Sequence, residues 1–201
     1  MATRLVRLVA GLLLCGTGVA LMINADLGLA PWDVLHQGIS KHTDLEIGTV
    51  AILVGLCVLL LWLPLRERYG IGTVCNVILI GLTINVWLSV LPDHPPIGVR
   101  IACLLFGTFL FGPGSGFYIG VGLGSGPRDG LMTALARRGY SVRVVRTVLE
   151  VSVLVIGFAL GGSVGIGTLL FAFTIGPNVH FWLERLSLRS LSDDEAHTAA
   201  S

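Results

Sequence analysis

Leu27-Gly28-Leu29-Ala30-Pro31-Trp32-Asp33-Val34-Leu35 returns later in the same chain as Leu123-Gly124-Ser125-Gly126-Pro127-Arg128-Asp129-Gly130-Leu131, an offset of 96 with five of the nine positions identical. Upstream, the same offset pairs Arg4 with Arg100, Gly11 with Gly107, Gly16 with Gly112 and Gly18 with Gly114. Downstream, Gly70-Ile71-Gly72-Thr73 recurs as Gly165-Ile166-Gly167-Thr168, and Ile80-Gly81 as Ile175-Gly176, at an offset of 95. Ordered self-similarity at a fixed offset marks a repeated structural unit. Chance likeness between Gly-rich apolar segments does not account for agreement at Arg, Pro, Asp and Gly-Ile-Gly-Thr together.

Composition says where the unit resides. Of the 201 residues, 54% are hydrophobic and 12% charged, with a mean hydropathy of +0.86. A soluble domain carries about 25% charged residues, so this chain lacks the charge to solvate a globular surface and its apolar excess is expected to face lipid. Apolar runs fall at 5–24, 46–64, 70–91, 98–119, 142–162 and 164–184. About 20 residues at 1.5 Å rise cover the ~30 Å hydrocarbon core. A backbone in lipid must satisfy its own hydrogen bonds, which makes each run a helix. The expectation is an all-α membrane fold of six transmembrane helices. Each copy of the repeat then holds three spans (4–91 and 98–185), an odd number, so the second copy enters from the opposite side. Residues 1–185 form one integral membrane domain and 186–201 a polar tail.

With the N-terminus placed inside, eleven Lys and Arg fall on the cytoplasmic side, among them Arg66, Arg68 and Arg189, and only Lys41 and Arg100 outside. This bias predicts a cell-membrane protein with both termini cytoplasmic. The repeat explains Arg100, because its partner is Arg4. The run after Arg4 and Arg7 is long for a signal peptide and recurs internally, so it is expected to be a span. A net charge of +1 gives no basic field for nucleic acid. Cys15, Cys57, Cys75 and Cys103 sit in apolar runs without metal-ligand spacing and read as small hydrophobes. His36, His42 and His180 also lack metal spacing. No cofactor fingerprint and no nucleophile with its base is present, so an enzyme is not expected.

Candidate chemistry lies in the repeat-equivalent segments 25–44 and 120–140. In each, a Gly-containing stretch precedes Pro31 or Pro127 at a helix start, and Asp33 or Asp129 follows on the positive end of the dipole. Each segment is too short to cross and too apolar for an exposed loop, leaving a re-entrant or an interfacial helix. Asp33 and Asp129 read either as carboxylates satisfying helix-start amides or as symmetry-related groups on a central path, with Arg128 beside the second. Asp26, opposite Gly122 in the other copy, reads as a solvated loop acid or as a path residue. Arg143, Arg146 and Glu150 share one face of the fifth run. Glu150 is expected to be buried and paired with Arg146, as a salt bridge locking helices or as part of a path. Its repeat equivalent is Gly55, so this feature breaks the symmetry. The stripes Gly112, Gly116, Gly120 and Gly157, Gly161 suit close helix packing.

Ala25-Asp26-Leu27-Gly28-Leu29-Ala30-Pro31-Trp32-Asp33, with the two Gly-Ile-Gly-Thr elements, resembles the YczE/YyaS/YitT family of bacterial membrane proteins, and its YczE branch most, over about residues 4–185. The resemblance implies a multi-pass membrane protein but no substrate and no catalytic residue. The inverted repeat, interrupted segments and intramembrane charges point to a small-solute or ion transporter. The alternative is a non-transporting regulatory or assembly subunit. A polar cavity shared by the halves favours the first, and a dry interior the second. Expected partners are the bilayer and a small solute or ion, with homo-oligomerisation left open.

Overall fold

A computed structural model describes residues 1–65, 67 and 69–187. Arg66, Arg68, Arg189 and the tail from 188 onward lie outside the described residues. The order long, short, long, long occurs twice. In the first half it runs α1 (Ala2–Ala25), α2 (Pro31–Ser40), α3 (Ile47–Leu65) and α4 (Ile71–Val90). In the second it runs α5 (Ile97–Gly120), α6 (Pro127–Ala136), α7 (Val142–Ala159) and α8 (Ile166–Leu186).

Five of these helices, α1, α3, α4, α5 and α8, are long and apolar enough to cross a membrane. The sixth expected run, 142–162, is not among these five. Its helix α7 spans 18 residues, carries Arg143, Arg146 and Glu150 in its first half, and ends before Gly161 at φ 81°.

Local geometry repeats with the sequence. Pro31 and Pro127 each open a short helix, and the residue before each is extended: Ala30 at φ −62°, ψ 151° and Gly126 at φ −61°, ψ 158°. A following proline excludes the α region by steric clash and so sets where the helix begins. Thr73 and Thr168, both buried, accept hydrogen bonds through Oγ1 from the N–H of Gly70 (3.4 Å) and Gly165 (3.2 Å), fixing the starts of α4 and α8.

Contacts between the halves are exchanged in pairs. Gly72 N donates to Leu123 O at 2.9 Å, and its counterpart Gly167 N donates to Leu27 O at 2.8 Å. A Cβ on Gly11 would meet Gly114 O at 2.6 Å, and one on Gly18 would meet Gly107 O at 2.7 Å. Rising numbers on α1 thus meet falling numbers on α5, so these equivalent helices run antiparallel through a seam of glycines. The seam allows backbone-to-backbone approach, as small residues do where helices pack in lipid.

The two halves differ most in how their last two helices pack. α3 packs along α4, whereas α7 makes no comparable packing with α8. In the first half the Gly48 and Gly81 backbones abut, and Asn85 Nδ2 donates to Thr49 Oγ1 at 2.9 Å. In the second half Arg143 and Val144 stand at the positions of Gly48 and Thr49. Gly176, the counterpart of Gly81, has nothing within 4 Å of where a Cβ would be.

Candidate functional site

The gap left between α7 and α8 is a cavity of about 680 Å³, bounded also by α1, α4, α5 and α6. Its volume lies within the range of small-molecule sites. Ile80, Phe111, Phe171, Ile175, Val179 and Leu183 form an apolar wall, and Ser115, Tyr118, Asn76, Arg128 and Asp129 a polar end. A second cavity, of only about 50 Å³, lies beyond that end and contains Trp32, Asp33 and His36. Asn76, Ile80, Phe111, Pro127 and Arg128 line both cavities.

The two cavities are lined by equivalent positions of the repeat. Val19, Trp32, Asp33, Ala51, Gly55 and Gly81 in the small one correspond to Ser115, Arg128, Asp129, Arg146, Glu150 and Gly176 in the wide one. One architectural feature therefore exists twice, collapsed where α3 and α4 close and wide where α7 and α8 do not.

The short helices converge between the cavities. The Arg128 guanidinium carbon lies 5.5 Å from the ring centre of Trp32, a cation–π contact between two residues at the same repeat position. Trp62 Nε1 donates to Pro127 O at 3.1 Å and anchors the start of α6. The Trp62 ring also lies where a Cβ on Gly130 would be, so this tryptophan requires a glycine there.

Asp33 and Asp129 each occupy the third position of their short helix, but neither caps it: no side-chain cap bond is made by either helix start. The reading of these carboxylates as partners for helix-start amides is corrected by their actual contacts. Asp33 Oδ1 lies 3.3 Å from His36 Nδ1, one turn on; both residues are buried, at 5% and 6% exposure, and the contact is outside hydrogen-bond geometry. Asp129 faces the wide cavity, where Oδ2 accepts a hydrogen bond from Tyr118 Oη at 3.3 Å. Around Gly126 three polar groups converge. A Cβ there would lie 3.2 Å from Tyr118 Oη, 3.5 Å from Asp129 Oδ2 and 3.6 Å from Asn76 Nδ2.

Arg146 Nε donates to Glu150 Oε1 at 3.1 Å, but the pair is not buried: the side chains are 54% and 35% exposed. The expected burial fails because α8 does not cover this face of α7, and the pair forms the cavity wall instead. Asp26 lines neither cavity. It adopts the left-handed conformation that ends α1 (φ 46°), as Gly122 does at φ 66° in the other half. Arg100 holds it in place, with Nη2 2.6 Å from its carbonyl and 3.5 Å from its carboxylate, and Ser163 Oγ lies 3.2 Å from Oδ1.

Sequence alone does not single out His36 as a partner of Asp33, nor Trp32, Asn76 and Tyr118 as site residues. Asn76, one of two amides in the apolar span α4, was the legible signal. The Trp32–Arg128 contact needed the fold. Among the described residues no group of His, Cys, Asp or Glu is arranged to hold a metal ion, and all four cysteines are free thiols.

The chain is similar to three bacterial proteins over most of its length. A Haemophilus influenzae protein, named only as uncharacterized, is 42% identical over 88% of this chain and 81% of its own. The Bacillus subtilis membrane protein YczE is 36% identical over 87% of this chain and 82% of its own. YyaS of the same organism is 28% identical over 90% and 93%. No solved structure matches. Together with the five long apolar helices, the likeness to YczE makes this a multi-pass membrane protein. Residues 2–184 match the family of unknown function DUF6198 from end to end of the helical domain, and the chain belongs to that family.

Proposed function

We propose that the chain is a transporter of a small solute or ion, built of six membrane-crossing helices in two inverted halves of three. In this reading α7 is the sixth span. Its charged face is tolerated because it borders a water-accessible cavity rather than lipid. The short helices α2 and α6 are re-entrant, with their N-termini meeting at the pseudo-two-fold axis. Both termini are cytoplasmic, which turns the wide cavity toward the cytoplasm and the small one outward.

The observation that carries the proposal is the pair of cavities lined by equivalent residues, one wide and one collapsed. Two inverted copies of a single closing device allow a central site to be reached from either side in turn, without both sides being open at once. The antiparallel Gly seam between α1 and α5 supports the inversion. The alternative, a non-transporting regulatory or assembly subunit, called for a dry interior, and a 680 Å³ cavity with a polar end speaks against it.

The test is thiol accessibility in a background lacking the native four cysteines. Gly176→Cys adds a side chain where there is room for one, on the cavity wall. It is expected to react with an impermeant reagent in inside-out vesicles and not in intact cells. Ala51→Cys, on the wall of the collapsed cavity, is expected to be protected on both sides until the protein changes state. A Gly176→Cys thiol that reacts from neither side means a sealed interior and overturns the transport reading.

A further inference from the structure

We infer that the wide cavity binds a small zwitterion of the amino-acid type, its carboxylate on Arg128, its amine on Asp129 and its apolar body along Phe111, Phe171 and Ile175. This rests on the transport reading for its purpose, but not for its chemistry.

The chemistry comes from the charges of the cavity. Six ionisable groups of Arg, His, Asp and Glu line it. Arg146 is paired with Glu150 at 3.1 Å, and His180 with Glu184 at 3.3 Å, each one helical turn apart. Arg128 and Asp129 are what remain. Adjacent in sequence, they form no ion pair with each other or with any other described residue. Arg128 also makes no hydrogen bond among the described residues, only its contact with the Trp32 ring. Asp129 has one neutral donor, Tyr118 Oη. A half-buried guanidinium without a counter-charge is costly in a low-dielectric interior. A ligand with one charge of each sign removes that cost for Arg128 and gives the more exposed Asp129 a counter-charge as well, whereas a ligand with a single charge leaves one of the two without a partner.

Other donors converge on the same end. Asn76 Nδ2 lies beside Gly126. The first N–H groups of α6 have no acceptor within the helix. This donor surplus suits a carboxylate, for which the planar guanidinium is the preferred partner. The opposite wall carries Phe111, Phe171 and Ile175 and offers apolar contact to a side chain.

Binding to the full-length purified protein by titration calorimetry tests this with three probes. L-Leucine carries both charges, 4-methylpentanoate lacks the amine, and 3-methylbutylamine lacks the carboxylate. Each desolvated charged contact is worth on the order of tenfold or more in affinity, so leucine is expected to bind at least about tenfold tighter than either analogue. In Arg128→Gln leucine falls toward the amine's affinity, and in Asp129→Asn toward the acid's. Melting curves without ligand identify variants that fail to fold, and the three-probe comparison on the parent protein stands without them. The inference is overturned if either analogue binds as tightly as leucine, or if none of the three binds. Uptake of leucine into proteoliposomes separates the two readings. Tight binding without uptake removes transport and leaves the site, and uptake of a singly charged solute alone removes the zwitterion and leaves transport.

Discussion

Asp33 and Glu150, the two acids in the strongest positions by sequence, differ in what their loss removes. Asp33 is buried beside His36 at 3.3 Å. Asp33→Ala takes away the buried carboxylate that stands against the imidazole, and is expected to destabilise the protein by about 1–3 kcal/mol, as breaking a buried polar contact does. Glu150 looks equally internal in the sequence, where burial of its pair with Arg146 argued for a loss of about 3–5 kcal/mol. The pair is half-exposed on a cavity wall, so Glu150→Ala is expected to cost about 1 kcal/mol or less. Melting temperatures of the two detergent-solubilised variants check the order, and equal losses contradict it. The sequence made the pairing of Arg146 with Glu150 legible because residues four apart on a helix are neighbours. It left burial unread, since that depends on whether α8 lies against α7.

Glycine distribution carries the same lesson at the level of the helix. The counterparts Gly81 and Gly176 look alike on their N-terminal side, each following an isoleucine in a Gly-Ile-Gly-Thr helix. Gly81 is pressed against the backbone of Gly48 and the side chain of Ile52, whereas Gly176 faces open space. Gly81→Ala is therefore expected to destabilise by about 1–3 kcal/mol through overpacking, and Gly176→Ala to lie within about 0.5 kcal/mol of the parent. Thermal unfolding of both variants decides this, and a Gly176→Ala loss matching that of Gly81→Ala means that α8 is packed. The helices themselves were legible from apolar run length, and the starts of α2 and α6 from proline. What the sequence withheld was the unequal closure of two similar halves. The substitution responsible was visible, with Arg143 and Val144 standing where Gly48 and Thr49 close the first half. Its consequence was not, because a bulky charged residue at a helix seam reads equally well as a snorkelling side chain.

For the whole molecule, the closed half serves as a template for what the open half does when it closes. If the two halves exchange conformations, α7 approaches α8 as α3 now approaches α4, and Arg143 meets Gly176 where Gly48 now meets Gly81. α8 has a point at which to bend. Pro177 follows Gly176 and lacks the N–H that would continue the helical ladder, whereas α4 has Leu82 there. A proline within a helix is a common site of kinking. The double variant Arg143→Cys with Gly176→Cys, in a background without the native thiols, is therefore expected to remain uncrosslinked in the state described here. It should form a disulfide when the cavity closes, because bridging requires Cα atoms within about 7 Å. Mild oxidation in membranes, read as a mobility shift lost on reduction, reports the closed fraction. Formation of the bridge should protect a third cysteine at Val179, on the cavity wall, and expose one at Ala51 in the cavity that is now small. That reciprocal change is what the proposed inverted arrangement of the two halves requires. A disulfide that forms without altering reactivity at Ala51 means that α7 and α8 move independently of α3 and α4, in which case the repeat is an inheritance of the fold and not a mechanism.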